Sequence, residues 1–302
     1  MLFKTGVFFH RDLNEIAEYF NLKERKINPS VFVKSELNYY EHFVGFINRF
    51  FLKQDSIDFR LRKNEVYHIK ISEGCLGKCT YCSERFTTQL KSWKIREIIS
   101  VLEKGLEQGF KLFSLNSDDS SVFGVDNREN IYVLLEKIIN INKNFWVAIS
   151  EFNPRGLMDN RMFNLLKSNK ISYVTIPIQS GSQKILDMMK RRYLIKEVKR
   201  KVKLIRETNL QIKINTHLIV GFPGETRKDF NQTLSLVKSG LFDRVKIFKY
   251  SDRPGTEASK FSYKIRESEK EKRMKILHKA ILLDSLKKHS LTNFLLNIEN
   301  LK

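Results

Sequence analysis

Cysteine is scarce in this sequence, with 3 among 302 residues. An odd count gives no disulfide framework. The opening MLFKTGVFFHRDLNE also argues against export, because its short apolar patch is broken by Lys4, His10 and Arg11 and no small-residue cleavage site follows. Five prolines and 13 glycines leave little room for collagen-like or low-complexity sequence, and there is no short internal repeat and no Pro/Ser-rich linker. No apolar run approaches the roughly 20 residues that span a bilayer. The expectation is a soluble, cytoplasmic protein with no membrane partner. Acidic residues are also few: 34 against 55 Lys and Arg, a net charge of +21. Such an excess favours an anionic partner, RNA first, although a lysine-rich, AT-biased genome would produce it equally well.

Two basic stretches are more organised than the background. One is Lys190-Arg191-Arg192 followed by Lys196, Lys199, Arg200, Lys201 and Lys203. The other is Lys270, Lys272, Arg273, Lys275, Lys279, Lys287 and Lys288, on a helical pattern that reads equally as a solvated face.

From residue 66 onward, β-branched runs alternate with longer amphipathic segments, the pattern of repeated βα units and a parallel sheet. The strand candidates are Val66–Ser72, Lys111–Asn116, Phe145–Ser150, Tyr173–Ile178, Gln211–Val220 and Arg244–Tyr250. Helices are expected near 94–108, 128–141, 158–169, 182–208 and 226–239. Asp159 and Thr226 are placed as N-caps, and Gly109 and Gly240 as stops. The α/β fold predicted is a six-stranded partial (β/α) barrel, with chemistry at the carboxyl ends of its strands. Gly74–Cys82, Asp118-Asp119, Asn153-Pro154, Gln179-Ser180 and Gly221–Thr226 all fall there. The expected division is a small helical amino-terminal region at 1–65, a core at 66–260 and a helical extension at 261–302.

All three cysteines lie within eight residues, as Cys75-x3-Cys79-x2-Cys82. Scattered core cysteines would not cluster so. Thiolates hold iron–sulfur clusters, and a cubane held by three of them leaves one iron open to chelate S-adenosylmethionine. The competing reading is a zinc site completed by a histidine such as His68. The x3-then-x2 spacing, with aromatic Tyr81 just before the last cysteine, favours the cluster.

At these residues the chain resembles the radical S-adenosylmethionine proteins, and within them the methylthiotransferases of tRNA or a ribosomal protein. Glu73–Cys82 resembles their cluster loop. Pro177–Ser182 running on to Met189–Tyr193, Ile219–Thr226 and Tyr250–Thr256 resemble three further signatures in the same order. The resemblance implies a [4Fe–4S] cluster on Cys75, Cys79 and Cys82, S-adenosylmethionine as the second cofactor, and a reductase or flavodoxin-type electron donor. It implies that Asp118 and Asp119 sit where the methionine ammonium is met, unless they only cap a helix. Gln179 and Ser180 would meet the ribose or carboxylate, or else form a structural turn. Ile219 and Val220 would wall the adenine beside Tyr81, or else pack the core. Gly221 and Gly224 would allow a tight loop near the ligand. Arg191-Arg192 would reach the ligand carboxylate or substrate phosphates, or else lie on a solvated face. No residue is singled out as a catalytic acid, base or nucleophile.

The sequence departs from that family in three places. No cysteine remains for a second cluster, and Val7 in Thr5–His10 stands where such a thiol would be. Thr87-Thr88-Gln89 replaces an Arg-Gly after the cluster loop. The sequence ends on the helix near 268–300, where the family adds an RNA-binding barrel. The expected activity is therefore reductive cleavage of S-adenosylmethionine and hydrogen abstraction from an RNA, peptide or other substrate. The alternatives are methylthio transfer with a partner, and a degenerate paralogue that binds without catalysis.

Overall fold

The structure, a computed structural model, describes residues 66–299; side chains at 85, 87, 282 and from 285 onward are not described. The amino-terminal region read above, with Val7, lies outside the described residues.

Strands β1 (Val66–Lys70), β4 (Leu112–Asn116), β5 (Trp146–Ile149), β6 (Ile171–Thr175), β7 (Lys213–Val220) and β8 (Arg244–Lys249) form one parallel sheet in that order. Representative register pairs are His68↔Ser114, Ala148↔Tyr173 and His217↔Lys246. Each strand lies beside the next in sequence and the order never doubles back, as winding around a barrel requires. This is the six-stranded partial (β/α) barrel expected. A two-stranded antiparallel ribbon, β2 (Ser72–Glu73) with β3 (Lys91–Ser92), stands apart from it.

Alternation along the strands separates two faces. Phe113, Leu115, Val147, Val174, Ile214 and Leu218 have no accessible surface. Against this outer face pack Leu102 of α2 (Ile95–Glu107), Leu134, Leu135 and Ile138 of α3 (Ile131–Asn140), and Val198, Val202 and Ile205 of α6 (Ile195–Thr208). The intervening residues Ser114, Ala148, Tyr173, Asn215 and His217 are half-buried on the other face. Helices thus cover one side of the sheet and leave a polar concave side.

The helix signals largely act as read. Asp159 caps α4 (Asn160–Leu165), and Thr226 opens a capping box with Asp229 on α7 (Arg227–Val237). Gly109 and Gly240 follow their helices in the left-handed conformation. Three expectations are corrected. The helix read over 182–208 is two, α5 (Gln183–Met188) and α6, because Lys190 adopts φ 56° and ends the first. The helix near 128 starts at Ile131, after left-handed Arg128. The strand read to Ile178 stops at Thr175, since Pro177 cannot donate to the ladder, and pairing resumes at the single bridge Gln179↔Leu218.

Helix α8 (Glu267–Glu299) packs back onto the barrel through a buried ion pair. Arg273 Nη1 donates to Glu225 Oε2 at 2.6 Å and to the Glu225 carbonyl at 2.9 Å, while Glu225 Oε2 also accepts from Gly221 N. Lys270 donates to the Tyr250 carbonyl at 2.8 Å. Lys270 and Arg273 are therefore structural ties, while Lys272, Lys275 and Lys279 of the same basic stretch are exposed. Breaking a buried pair on one side costs about 3–5 kcal/mol. Arg273→Ala should lower the unfolding free energy by that amount in urea, and Arg192→Ala, at an exposed site, should stay within about 0.5 kcal/mol; equal effects would contradict the tie.

Candidate functional site

The cysteine loop leaves the barrel at the carboxyl end of β1 and returns through β3, so the β2–β3 ribbon closes its base. Gly74 starts the loop at φ 77°, close against the Gln89 carbonyl; a Cβ there would lie 2.4 Å from that oxygen. Only glycine combines that conformation with that approach. Three parts of the fold then hold the loop. Asp118 Oδ2, just beyond β4, accepts from Gly74 N at 2.7 Å. Thr80 donates from N to the Met189 carbonyl and from Oγ1 to the Met188 carbonyl, 3.2 and 2.9 Å. Its own carbonyl accepts from Ala258 N at 2.8 Å. A short helix, α1 (Glu84–Thr87), follows the last cysteine.

All three thiols are free and half-buried. Cys75 Sγ accepts from Gly77 N at 3.1 Å and faces Asp119 Oδ2 at 3.6 Å. Cys79 Sγ lies 3.5 Å from the Arg191 guanidinium. Burial, with the Asp119 carboxylate adding to it, pushes the Cys75 thiol up to about 12, and burial also raises Cys82. Ligation requires thiolates, so a positively charged metal group must displace these protons.

Among the described residues, no three His, Cys, Asp or Glu side chains converge on a point that could hold a metal ion. A zinc ion would need donors about 2.0–2.3 Å from one centre. His68, the candidate fourth ligand, has its Nδ1 3.1 Å from Asn116 Nδ2. A cubane instead takes its thiolates at separate corners. A Cβ on Gly77 would lie 3.1 Å from Cys75 Sγ and 3.7 Å from Cys79 Sγ, so both sulfurs border the small space that its missing side chain leaves. Three half-buried sulfurs on one pinned loop, with an N–H and a guanidinium aimed at two of them, fit an iron–sulfur cluster.

The other expected site residues divide. Asp119 is nearly buried, caps the turn Ser120–Val122 and accepts from Ser121 and Asn153, so its carboxylate is engaged within the protein. Gln179 is half-buried in a left-handed conformation, φ 76°, at the mouth of the barrel. Such strain in a residue other than glycine concentrates at functional positions. Ser180, next to it, has no accessible surface, and its hydroxyl serves Ser182 N and Thr233. Its hydroxyl thus serves the turn that follows Gln179. Val220 is equally inaccessible and belongs to the core. Ile219 joins a cluster of Ile185, Met189, Phe222, Tyr250 and Ala258, with Tyr81 packed on its edge. Gly221 lies under the Lys270 stem, where a Cβ would meet Cγ at 2.3 Å. Gly224, also left-handed, approaches Met188.

Arg191 is the clearest correction. It is buried, with Nη2 donating to the Pro177 carbonyl at 2.7 Å and Nη1 beside Cys79, so it is neither on a solvated face nor available to substrate phosphates. Burial opposes its charge, but Tyr193, Tyr81 and Cys79 outweigh that and keep it ionised. Arg192, its neighbour, is exposed.

Sequence reasoning passed over a pair that spans the concave face. Glu151, left-handed at φ 45° beyond β5, reaches His217 Nδ1 of β7 at 3.5 Å, and the imidazole meets the Phe248 ring edge-on. The signal was available: Lys213, Asn215 and His217 alternate with Ile212, Ile214, Thr216 and Leu218, a largely apolar set, which marks a polar inner face. A carboxylate–imidazole pair there can orient a polar substrate group or move a proton.

Two glycines separate loop architecture from room for a metal group. Gly74→Ala should lower both the melting temperature and the iron retained after anaerobic reconstitution. Gly77→Ala, which crowds two sulfurs without a left-handed backbone, should lower iron alone. Full iron binding in both variants would contradict this geometry.

Residues 69–237 match the Radical SAM superfamily. The chain is 34% identical over 213 residues to a probable threonylcarbamoyladenosine tRNA methylthiotransferase of Pyrococcus horikoshii, covering 68% of this chain and 50% of that protein. It is 34% identical over 206 residues to the ribosomal protein uS12 methylthiotransferase RimO of Thermosipho melanesiensis, covering 67% and 48%. The chain thus spans about half the length of these curated relatives. Among solved structures, the radical S-adenosylmethionine methyltransferase TsrM of Kitasatospora setae, with cobalamin and a [4Fe–4S] cluster bound, superposes with a TM-score of 0.55 at 16% identity. That match covers 64% of this chain and 38% of that one, and shows a shared fold. No described helix is long and apolar enough to cross a membrane. Since the matched stretch takes in the whole cysteine loop and the barrel from the end of β1 through β7, the chain belongs to the Radical SAM superfamily.

Proposed function

We propose that this chain is an enzyme that reductively cleaves S-adenosylmethionine and uses the resulting radical to take hydrogen from a substrate held on the concave face of the barrel. The observation that carries the reading is the pinned loop that presents Cys75, Cys79 and Cys82, and no fourth thiol, at the carboxyl end of β1. The superfamily's cofactors are a [4Fe–4S] cluster and S-adenosylmethionine. When bound, the reduced cluster would give one electron to the sulfonium of S-adenosylmethionine, and the cleavage would release methionine and a 5′-deoxyadenosyl radical that becomes 5′-deoxyadenosine on taking a hydrogen atom.

The chain's residues do the holding and shielding. The thiolates of Cys75, Cys79 and Cys82 would hold the cluster. Gly77 N–H and the Arg191 guanidinium offset negative charge at Cys75 and Cys79. Asp118, which fixes Gly74, and Gln179, strained at the mouth, would meet the polar groups of S-adenosylmethionine. Asp119 positions the loop by facing Cys75. Tyr81 and Ile219 offer an apolar edge toward the adenine. The Glu151–His217 pair faces the substrate side. A flavodoxin-type reductase in the cytoplasm would supply the electron.

A second reading, methylthio transfer, is favoured by the 34% identity to methylthiotransferases. Sulfur insertion needs a source besides the cofactor cluster, and these 302 residues contain no cysteine beyond the three. On this reading another protein would bring the sulfur.

Anaerobically reconstituted protein should hold about four irons per chain, the number in one cubane. It should form 5′-deoxyadenosine with a reductant, and place no methylthio group on bulk tRNA when alone. Cys75→Ala, Cys79→Ala and Cys82→Ala should each abolish cleavage. Wild-type deoxyadenosine formation by any of the three would refute the cluster assignment; about eight irons, or a methylthio-nucleoside from the lone protein, would refute the single-cluster reading.

A further inference from the structure

Of the first basic stretch, Arg191 belongs to the site above, and Lys190, Arg200, Lys201 and Lys203 have partners of their own. Its Lys196 and Lys199 lie on the opening turns of α6, and across from them stand Arg227 and Lys228, the first two residues of α7. Together they line a groove of about 680 Å³ on the outside of the barrel, in the size range of ligand clefts. All four are exposed, and none has an ion-pair partner among the described residues. The nearby carboxylates are committed elsewhere. Glu197 pairs with Arg200, and Asp229 is taken up by Thr226, Ser182 and Lys184.

The placement of these cations opposes helix electrostatics. The amino end of a helix carries partial positive charge, which favours anions and disfavours Lys and Arg in the first turn. Here the first turn of α6 carries Lys196 and that of α7 carries Arg227 and Lys228, each beside one acid, Glu197 or Asp229, that is already paired within the protein. A bound anion would instead meet the four side chains at the amino ends of the two helices.

We propose that this groove docks the phosphate backbone of RNA, outside the barrel and next to its mouth. The lining identifies the ligand. It contains no acidic and no aromatic residue. Without aromatics there is no stacking platform for bases, so contact is with the backbone and is insensitive to sequence. Its one apolar side chain, Ile195, is half-buried, so the lining offers no large apolar anchor of the kind that dominates peptide binding. Asn231, Gln232 and Ser235 add neutral donors and acceptors between the charges, suited to 2′-hydroxyls. The groove also connects to the mouth through one turn. Gln179 stands at the carboxyl end of the sheet, and two residues on Gly181 lines the groove, packed so closely that a Cβ would meet the Gln232 carbonyl at 2.5 Å. RNA held here runs along the rim of the barrel.

The test is fluorescence anisotropy of the full chain with a labelled RNA hairpin, over about 50–200 mM salt. Because this reads binding alone, it is independent of the radical chemistry proposed above. Joint substitution Lys196→Gln, Lys199→Gln, Arg227→Gln and Lys228→Gln should weaken binding about tenfold or more at low salt. It should also flatten the dependence of log affinity on log salt by up to about 3 units, about 0.7 for each phosphate that is no longer neutralised. Four equal changes on exposed residues elsewhere, Lys104, Lys111, Lys137 and Lys143, should have little effect. Melting should be undiminished in the groove variant, since cations are being removed from helix starts. Equal weakening in the control set would mean diffuse charge, and unchanged binding in the groove variant would mean another surface; either overturns the proposal. So would a DNA hairpin bound as tightly as RNA, or polyglutamate competing as well as RNA does.

Discussion

Seventeen residues, from Gly74 to Leu90, leave the barrel and come back without joining its sheet, and fixing such an excursion costs conformational entropy. The interactions that offset this cost come from separate parts of the chain: the β2–β3 ribbon, Asp118 beyond β4, the carbonyls of Met188 and Met189 at the end of α5, and Ala258 beyond β8. The loop is therefore ordered only when the barrel is. Three thiols within eight residues of sequence become a site because distant segments hold them. Arg191 extends the same tie, since one guanidinium spans the Pro177 carbonyl and Cys79.

The sheet divides the remaining work. Its outer face is apolar and carries the stability, through Phe113, Leu115, Val147 and Leu218 beneath the helices. Its concave face keeps Asn215, His217 and Lys246 half-buried or exposed, with Glu151 reaching across to His217. The strands thus separate a part that must not change from a part that can differ between substrates. Left-handed Glu151 and Gln179 both stand where strands end at the mouth, so strain in the backbone is concentrated beside the expected chemistry.

Much of this was legible in the sequence for definite reasons. Strand alternation and the caps at Asp159 and Thr226 follow from local rules that tertiary packing did not override. The cysteine spacing marked the loop. What failed were readings that depend on where a polar side chain points. Arg191 sits in a basic run yet turns inward, because left-handed Lys190 rotates the chain between α5 and α6. Lys270 and Arg273 read as a solvated face, but their partners, Tyr250 and Glu225, are distant in sequence and no periodicity announces them.

The central claim is that three sulfurs on this loop hold a cluster with one iron left open. Electron paramagnetic resonance of the reduced, reconstituted chain tests it most directly. The account predicts a [4Fe–4S] signal that changes shape when S-adenosylmethionine is added, because the ligand occupies the open iron. A signal indifferent to S-adenosylmethionine, or one that survives intact in Cys82→Ala, would contradict it.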